Sequence, residues 1–146
     1  RGVRELRRVA SGPVVILTLD PAAVPAFWLG EYVPGLLRTE AARFPRIDEL
    51  CALLGPAARA VRVPVPRDCT DGFIEAFYGR PEAFSDASVR AAQSAWGHGD
   101  PGEIAAGLAR LAHDVESGAW DERHGPLRAA EHFAGSLTLV TGPGRG

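Results

Sequence analysis

Methionine, lysine and asparagine are all missing from this sequence. Without Met, position 1 included, the chain is expected to be a piece of a longer product. All 16 basic residues are Arg, which suits a GC-rich gene better than a selected guanidinium chemistry. There are only 2 Cys, Cys51 and Cys69, too few for a disulfide scaffold, so free thiols in a reducing cytoplasm are expected. No apolar run approaches the roughly 20 residues needed to span a bilayer, and Arg1-Gly2-Val3-Arg4-Glu5 is no signal-peptide start. A net charge of -2 offers no electrostatic footprint for nucleic acid or an anionic membrane.

The motifs of several chemistries are missing too. The four histidines, His98, His113, His124 and His132, stand far apart and pair with no cysteine at zinc-ligand spacing, so no metal site is expected. There is no HExxH, nucleophile elbow or Walker loop. Gly97-His98-Gly99 connects two predicted helices where a nucleotide fingerprint needs a strand before a helix.

What remains is one domain's worth of sequence, 46% hydrophobic and 23% charged. Val3, Leu6 and Val9/Ala10 recur at helical spacing, so Arg1 to Ala10 reads as an amphipathic helix stopped by Gly12-Pro13. Val14 to Leu19 is a continuous β-branched and apolar run, the pattern of a parallel strand covered on both faces. Helix then strand is half of a βαβ unit, which implies an upstream strand. Asp20-Pro21 opens a helical stretch over 22–44, interrupted by Pro25 and Pro34 and rich in Phe27, Trp28, Tyr32, Leu36 and Leu37. A helix over 45–54 closes at Gly55-Pro56, and a strand follows over 60–65, held to a sheet edge by its prolines.

The stretch from Val61 to Phe73 organises the reading: an alternating strand breaks into a polar corner, Arg67 to Thr70, which launches a helix at Asp71. Helices are then expected over 71–78, from Ser85 or Asp86 to Trp96, and from a capping box at Asp100-Pro101-Gly102-Glu103 to near Gly118. A last strand over 136–141 precedes an irregular tail, Gly142 to Gly146. The fold is thus α/β, with three strands and a helical insertion over 70–130 that reads as a lid. The Val14–Leu19 edge, hydrophobic and unpaired, is a surface for self-association.

Strand ends that run into polar corners gather ligand contacts. Pockets for small organic molecules combine aromatic walls with a few polar groups. The candidate substrate-binding residues are therefore Trp28, Tyr32, Asp68, Asp71, Phe73, Phe77, Tyr78 and Arg80. Trp28 and Tyr32 also suit core packing. Asp68 and Asp71 are the candidate general bases, and Asp68 suits equally a backbone bond within the turn.

In order along the chain, these pieces resemble a known family. Arg-Glu-Leu-Arg-Arg-Val at 4–9, a glycine turn and Val-Val-Ile-Leu-Thr at 14–18 resemble the helix and fifth strand of class I S-adenosylmethionine-dependent methyltransferases. The family's Leu-Arg-Pro-Gly-Gly before that strand is shortened here to Ala-Ser-Gly-Pro. Asp20-Pro21, Trp28-Leu29, Tyr32-Val33-Pro34, Phe44-Pro45, the 68–73 corner, Arg80-Pro81-Glu82-Ala83 and Glu116 to Asp121 resemble bacterial small-molecule methyltransferases of the type 11 group. The resemblance implies the C-terminal part of a Rossmann-like sheet whose last, reversed strand is slotted between the other two. It implies S-adenosylmethionine as cofactor, a small-molecule methyl acceptor as partner, and a chain inactive without a cofactor half. The glycine-rich turn and the ribose-holding acid of the family fall before its fifth strand, so no cofactor-binding residue is assigned here. The alternatives are a non-catalytic module that binds a small ligand or a protein, and an unrelated small α+β enzyme using Asp68 and Asp71.

Overall fold

A computed structural model describes residues 2–144. The expected helix start at Arg1 and the Arg145-Gly146 end of the tail lie outside the described residues. Gly2–Val9 forms α1, Val14–Leu19 forms β1, Pro34–Ala41 forms α2 and Ile47–Leu54 forms α3. Pro25 limits the stretch after β1 to 3₁₀ turns at Val24–Ala26 and Trp28–Glu31. None of the described helices is long and apolar enough to cross a membrane.

The strand expected over 60–65 is two strands. Arg59–Arg62 forms β2, Pro64 interrupts, and Val65–Pro66 forms β3. Proline has no N–H for the ladder, so pairing with one neighbour ends where it stands. β3 instead pairs with His132–Phe133, here β4, in a separate two-stranded ribbon that the sequence pattern did not announce. The last strand, β5, runs Leu137–Gly142 and so takes in the first residue of the expected tail.

β5 lies between β1 and β2 and is antiparallel to both. It is free of proline, as a central strand must be to serve two neighbours. β1 has β5 for a neighbour where a parallel one was expected, and it is covered on one face rather than two. Val14 and Val140 pack with Leu50 and Leu54 of α3, whereas Val15 and Leu17 are 61% and 60% exposed. Register puts Leu17, Leu139 and Val61 in one cross-strand row on the open face. α1 is only loosely applied: Val3 and Ala10 pack on the α3 side, while Leu6 and Val9 remain exposed.

Between β3 and β4 the chain is helical, but less regular than its periodicity suggests. No α-helix starts at Asp71. Gly72, Gly79 and Pro81 leave too few residues to propagate one, and 3₁₀ turns form at Ile74–Phe77 and Pro81–Ser85. Asp86 does cap a helix, accepting the Ser88 N–H at 2.7 Å, but this helix, α4, stops at Ala87–Ala91. A 3₁₀ turn at Ser94–His98 leads to Asp100, which caps α5, Pro101–Ser117, by accepting the Glu103 N–H at 2.8 Å. Gly118, with φ of 85°, ends it in the left-handed conformation that favours glycine. Ala119–His124 and Pro126–Ala129 form α6 and α7.

The capping box is only half made. Glu103 turns away from Asp100 and accepts the Gly35 N–H at 2.7 Å, capping the first turn of α2 from 68 residues away. A carboxylate there satisfies an orphan donor and complements the helix dipole. α5 also comes so close to the 28–33 turn that a Cβ on Gly107 would collide with the Tyr32 carbonyl and Val33. Gly107 is therefore a packing residue. Gly107→Val is expected to cost about 2–3 kcal/mol through overpacking, lowering Tm by roughly 5–10 °C in a thermal melt; an unchanged Tm would mean that α5 does not lie against this turn.

Candidate functional site

The polar corner positions the site without forming it. Cys69 N–H donates to the Pro66 carbonyl at 3.1 Å and folds the chain back after β3. Asp68 and Asp71 are both exposed on this corner. Past Gly72 the backbone turns inward and carries Phe73, Ile74 and Glu75 to the wall of a cavity of about 310 Å³. Leu19 at the carboxyl end of β1, Phe27, Leu37 of α2 and Ala95 supply further apolar wall, and Asp71 stands at the rim. A crevice at the carboxyl end of a strand is the usual ligand position in α/β folds.

Glu75 is the charged group of the interior. It is 4% exposed, and both carboxylate oxygens accept the Ser136 backbone N–H, at 2.9 and 2.8 Å. Burial pushes its carboxyl above the ordinary glutamate range, and the Ser136 N–H, the Ser136 hydroxyl and the more distant Arg62 guanidinium only partly counter this. Arg62 itself is engaged elsewhere, with Asp20 at 3.0 Å and the Thr138 hydroxyl at 3.2 Å.

Two further cavity residues carry polar atoms with no hydrogen-bond partner among the described residues: Gln93 Nε2 and Ser136 Oγ. Gln93 is 6% exposed and Ser136 fully buried. The Gln93 amide is oriented by Trp96, whose indole N–H donates to Oε1 at 3.1 Å, so the unpartnered atom is the NH₂ donor. Ser136 spends its carbonyl on the Asp20 N–H and the Thr138 hydroxyl, at 2.8 and 2.9 Å; its own hydroxyl lies beside Glu75 and helps hold that carboxyl down, without a hydrogen bond of normal geometry.

The residues expected to bind substrate divide sharply. Asp71 and Phe73 line the cavity. Trp28 does not; it is buried against Phe27, Tyr32, Phe84 and Trp120, with ring centroids 5.0–6.3 Å apart, and its indole N–H donates to the Tyr78 carbonyl at 2.9 Å. Tyr78 is buried too, stacked on Phe133, with its hydroxyl donating to the Ala130 carbonyl at 2.8 Å. Phe77 packs on Phe84, and the exposed Arg80 lies over the Phe77 ring and donates to the Ala76 carbonyl. Asp68 is outside the lining altogether. Tyr32 faces a shallow groove elsewhere, donating to Asp114 at 2.8 Å and accepting from Arg123 at 2.6 Å. Its phenol is pushed up to about 12 by burial and by the Asp114 bond, so it holds its proton. In these packed positions the polar atoms of Trp28, Tyr32 and Tyr78 are satisfied by other residues of the chain.

Glu75, Gln93 and Ser136 were missed by the sequence pattern. An α-helix from Asp71 turns Glu75 about 200° from Phe73, onto the solvent side. In the structure Phe73 is extended, with ψ of 161°, and the 3₁₀ turn begins only at Ile74, so Phe73 and Glu75 do not share one helical wheel and both line the cavity. A glutamate inside Phe-Ile-Glu-Ala-Phe was the available signal.

Comparison with solved structures gives one informative likeness. The chain superposes on a protein from Anabaena variabilis ATCC 29413 described as "Putative methyltransferase from antibiotic biosynthesis pathway", with a TM-score of 0.85 and 28% identity. The chain has a methyltransferase-like fold. The match takes in 96% of this chain but 58% of that one, so the chain spans less than two thirds of its relative's length. No protein-family model matches the sequence, and no curated protein matches it significantly.

β1 runs into Asp20-Pro21, where Asp20 caps the turn by accepting the Ala22 N–H at 3.0 Å, and no glycine-rich strand-to-helix turn is present among the described residues. Nor do three His, Cys, Asp or Glu side chains converge on a metal position among them.

Glu75 makes stability depend on pH with a definite sign. Its folded pKa lies above its unfolded value, so the protonated form stabilises the fold at low pH and that contribution is lost as pH rises through the folded value. Asp114 and Asp121, held low by Arg123 and Arg128, act in the opposite sense and at lower pH, and they cancel in a comparison of variants. Denaturant unfolding from about pH 4 to about pH 8 should therefore show Glu75→Gln gaining on the wild type as pH rises. Parallel curves would mean that Glu75 titrates normally.

Proposed function

We propose that this chain is the acceptor-side part of a class I, type 11-like S-adenosylmethionine-dependent methyltransferase that acts on a small molecule in the cytoplasm. The cofactor is held by residues outside this sequence, and these 146 residues alone do not turn over. The observation that carries the reading is the likeness to the Anabaena methyltransferase over 96% of the chain, combined with an apolar cavity at the carboxyl end of β1.

S-adenosylmethionine, when bound, supplies an electrophilic methyl group on a sulfonium. The part left to these residues is to bind, orient and dry the acceptor, which is where most of the acceleration of an in-line displacement arises. Phe27 and Phe73 clasp an apolar body, Glu75 accepts a hydrogen bond from the acceptor, and the 70–130 segment covers both. Asp71 at the rim is the second carboxylate in reach of an entering molecule.

Gly72 offers a clean test. A Cβ at this position meets nothing within 4 Å, and its residue lines the cavity. In the protein as its cell makes it, S-adenosylmethionine should bind with measurable heat and support methyl transfer to some member of a panel of small amines and phenols. Gly72→Phe should lower kcat/KM for that acceptor by about tenfold or more, with cofactor affinity and Tm unchanged. No heat of binding with S-adenosylmethionine would count against a methyltransferase, and full activity of Gly72→Phe would move the acceptor out of this cavity.

A further inference from the structure

The cavity's polar groups make an uneven set. Glu40, Asp71 and Glu75 contribute carboxylates, and among the described residues no Arg or His side chain lines the cavity. Glu40 is already paired, with Arg43 at 2.6 Å. Asp71 and Glu75 have no salt-bridge partner among the described residues. Against these acceptors stand the unpartnered Gln93 NH₂ donor and the Ser136 hydroxyl, which lies beside Glu75 without a hydrogen bond of normal geometry; both are more than nine-tenths buried. A buried polar atom left unmatched costs about 1–3 kcal/mol, so two in one cavity beside an unpaired carboxylate mark a site completed by a bound molecule.

From this geometry we infer that the cavity takes a small amine: an apolar, ring-sized body with an ammonium group that donates to Glu75 and an oxygen that meets Gln93 and Ser136. Each part answers one feature. The ring fills the walls made by Phe27, Phe73 and Leu37. The ammonium supplies the cation that Glu75 lacks; burial holds that carboxyl's affinity for a proton high, and a bound cation compensates in the proton's place. The oxygen accepts from the Gln93 amide, whose orientation Trp96 fixes. A carboxylate in place of the ammonium would be desolvated beside like charges, with no cation and only the neutral Gln93 and Ser136 donors to offset it. Anionic molecules are therefore rejected. That the amine is a methyl acceptor rests on the proposed function; that the cavity binds it does not.

Three probes of one shape test this by isothermal titration of the full protein: tyramine, phenethylamine, which lacks the oxygen, and desaminotyrosine, which carries a carboxylate where tyramine has its amine. Tyramine should bind about fivefold more tightly than phenethylamine and at least about tenfold more tightly than desaminotyrosine. Glu75→Gln, isosteric with the wild type, should weaken tyramine about tenfold and leave desaminotyrosine no weaker. Desaminotyrosine binding as well as tyramine, or no binding by any of the three, overturns the inference. Tyramine preference in a protein that does not bind S-adenosylmethionine would sink the methyltransferase reading and leave the amine site standing. Cofactor-dependent methylation with a preference for the carboxylate would do the reverse.

Discussion

The Glu75 carboxylate reaches the Ser136 backbone N–H with both oxygens, across 61 residues of sequence, from the first turn after the polar corner to the residue before β5. That contact joins the covering segment to the sheet. Ser136 in turn accepts the Asp20 N–H, which fastens the end of β1 to the start of β5. Gly135 has no room for a side chain, because a Cβ there would strike the Glu75 carboxylate and the Phe133 ring. The arrangement is expensive as a stabilising device. A hydrogen bond to a charged group returns about 1.5–3 kcal/mol, whereas removing a carboxylate from water costs several kcal/mol after relaxation. A buried carboxylate that lines the same cavity as Gln93 and Ser136 is the feature on which the proposed amine site rests.

The aromatic residues contribute to the site indirectly. Trp28 anchors Phe84, Trp120 and Tyr32 from one side, and its indole bond to the Tyr78 carbonyl holds the 3₁₀ turn that ends just past Glu75. Tyr78 and Phe133 stack where the β3–β4 ribbon meets the covering segment. Edge-to-face and stacked pairs of this kind add about 0.5–1.5 kcal/mol each beyond area burial. They make the lid a packed body whose position relative to β1 and β5 is set. The cavity is the space left between that body and the ends of the strands.

Much of this was legible from residues whose local chemistry allows one outcome. Asp86 and Asp100 cap helices as their positions suggest, Gly118 ends one, and the prolines at 64 and 66 keep β2 and β3 at sheet edges. The central place of the last strand agrees with its lack of proline, whereas its reversal was implied only by the methyltransferase resemblance. Other features depended on tertiary context. Whether Val15 and Leu17 are covered is decided by what packs on the sheet, and an apolar run does not say. His132-Phe133 is too short for a strand signal and pairs only because Val65 is opposite it. At the site, aromatic character drew attention to Trp28, Tyr32, Phe77 and Tyr78, all of which spend themselves on the core or on neighbouring side chains. Glu75 is not legible from periodicity because Phe73 is extended and the turn starts only at Ile74, so the helical wheel that puts Glu75 on the solvent side does not apply.

The most direct measurement is a crystal structure of the protein soaked with tyramine. The account predicts ring density between Phe73 and Leu37, the amine nitrogen within hydrogen-bonding distance of Glu75, and the Gln93 amide turned to the phenol oxygen. Density in the groove beside Tyr32, Asp114 and Arg123, with the cavity behind Gly72 unchanged, would contradict it.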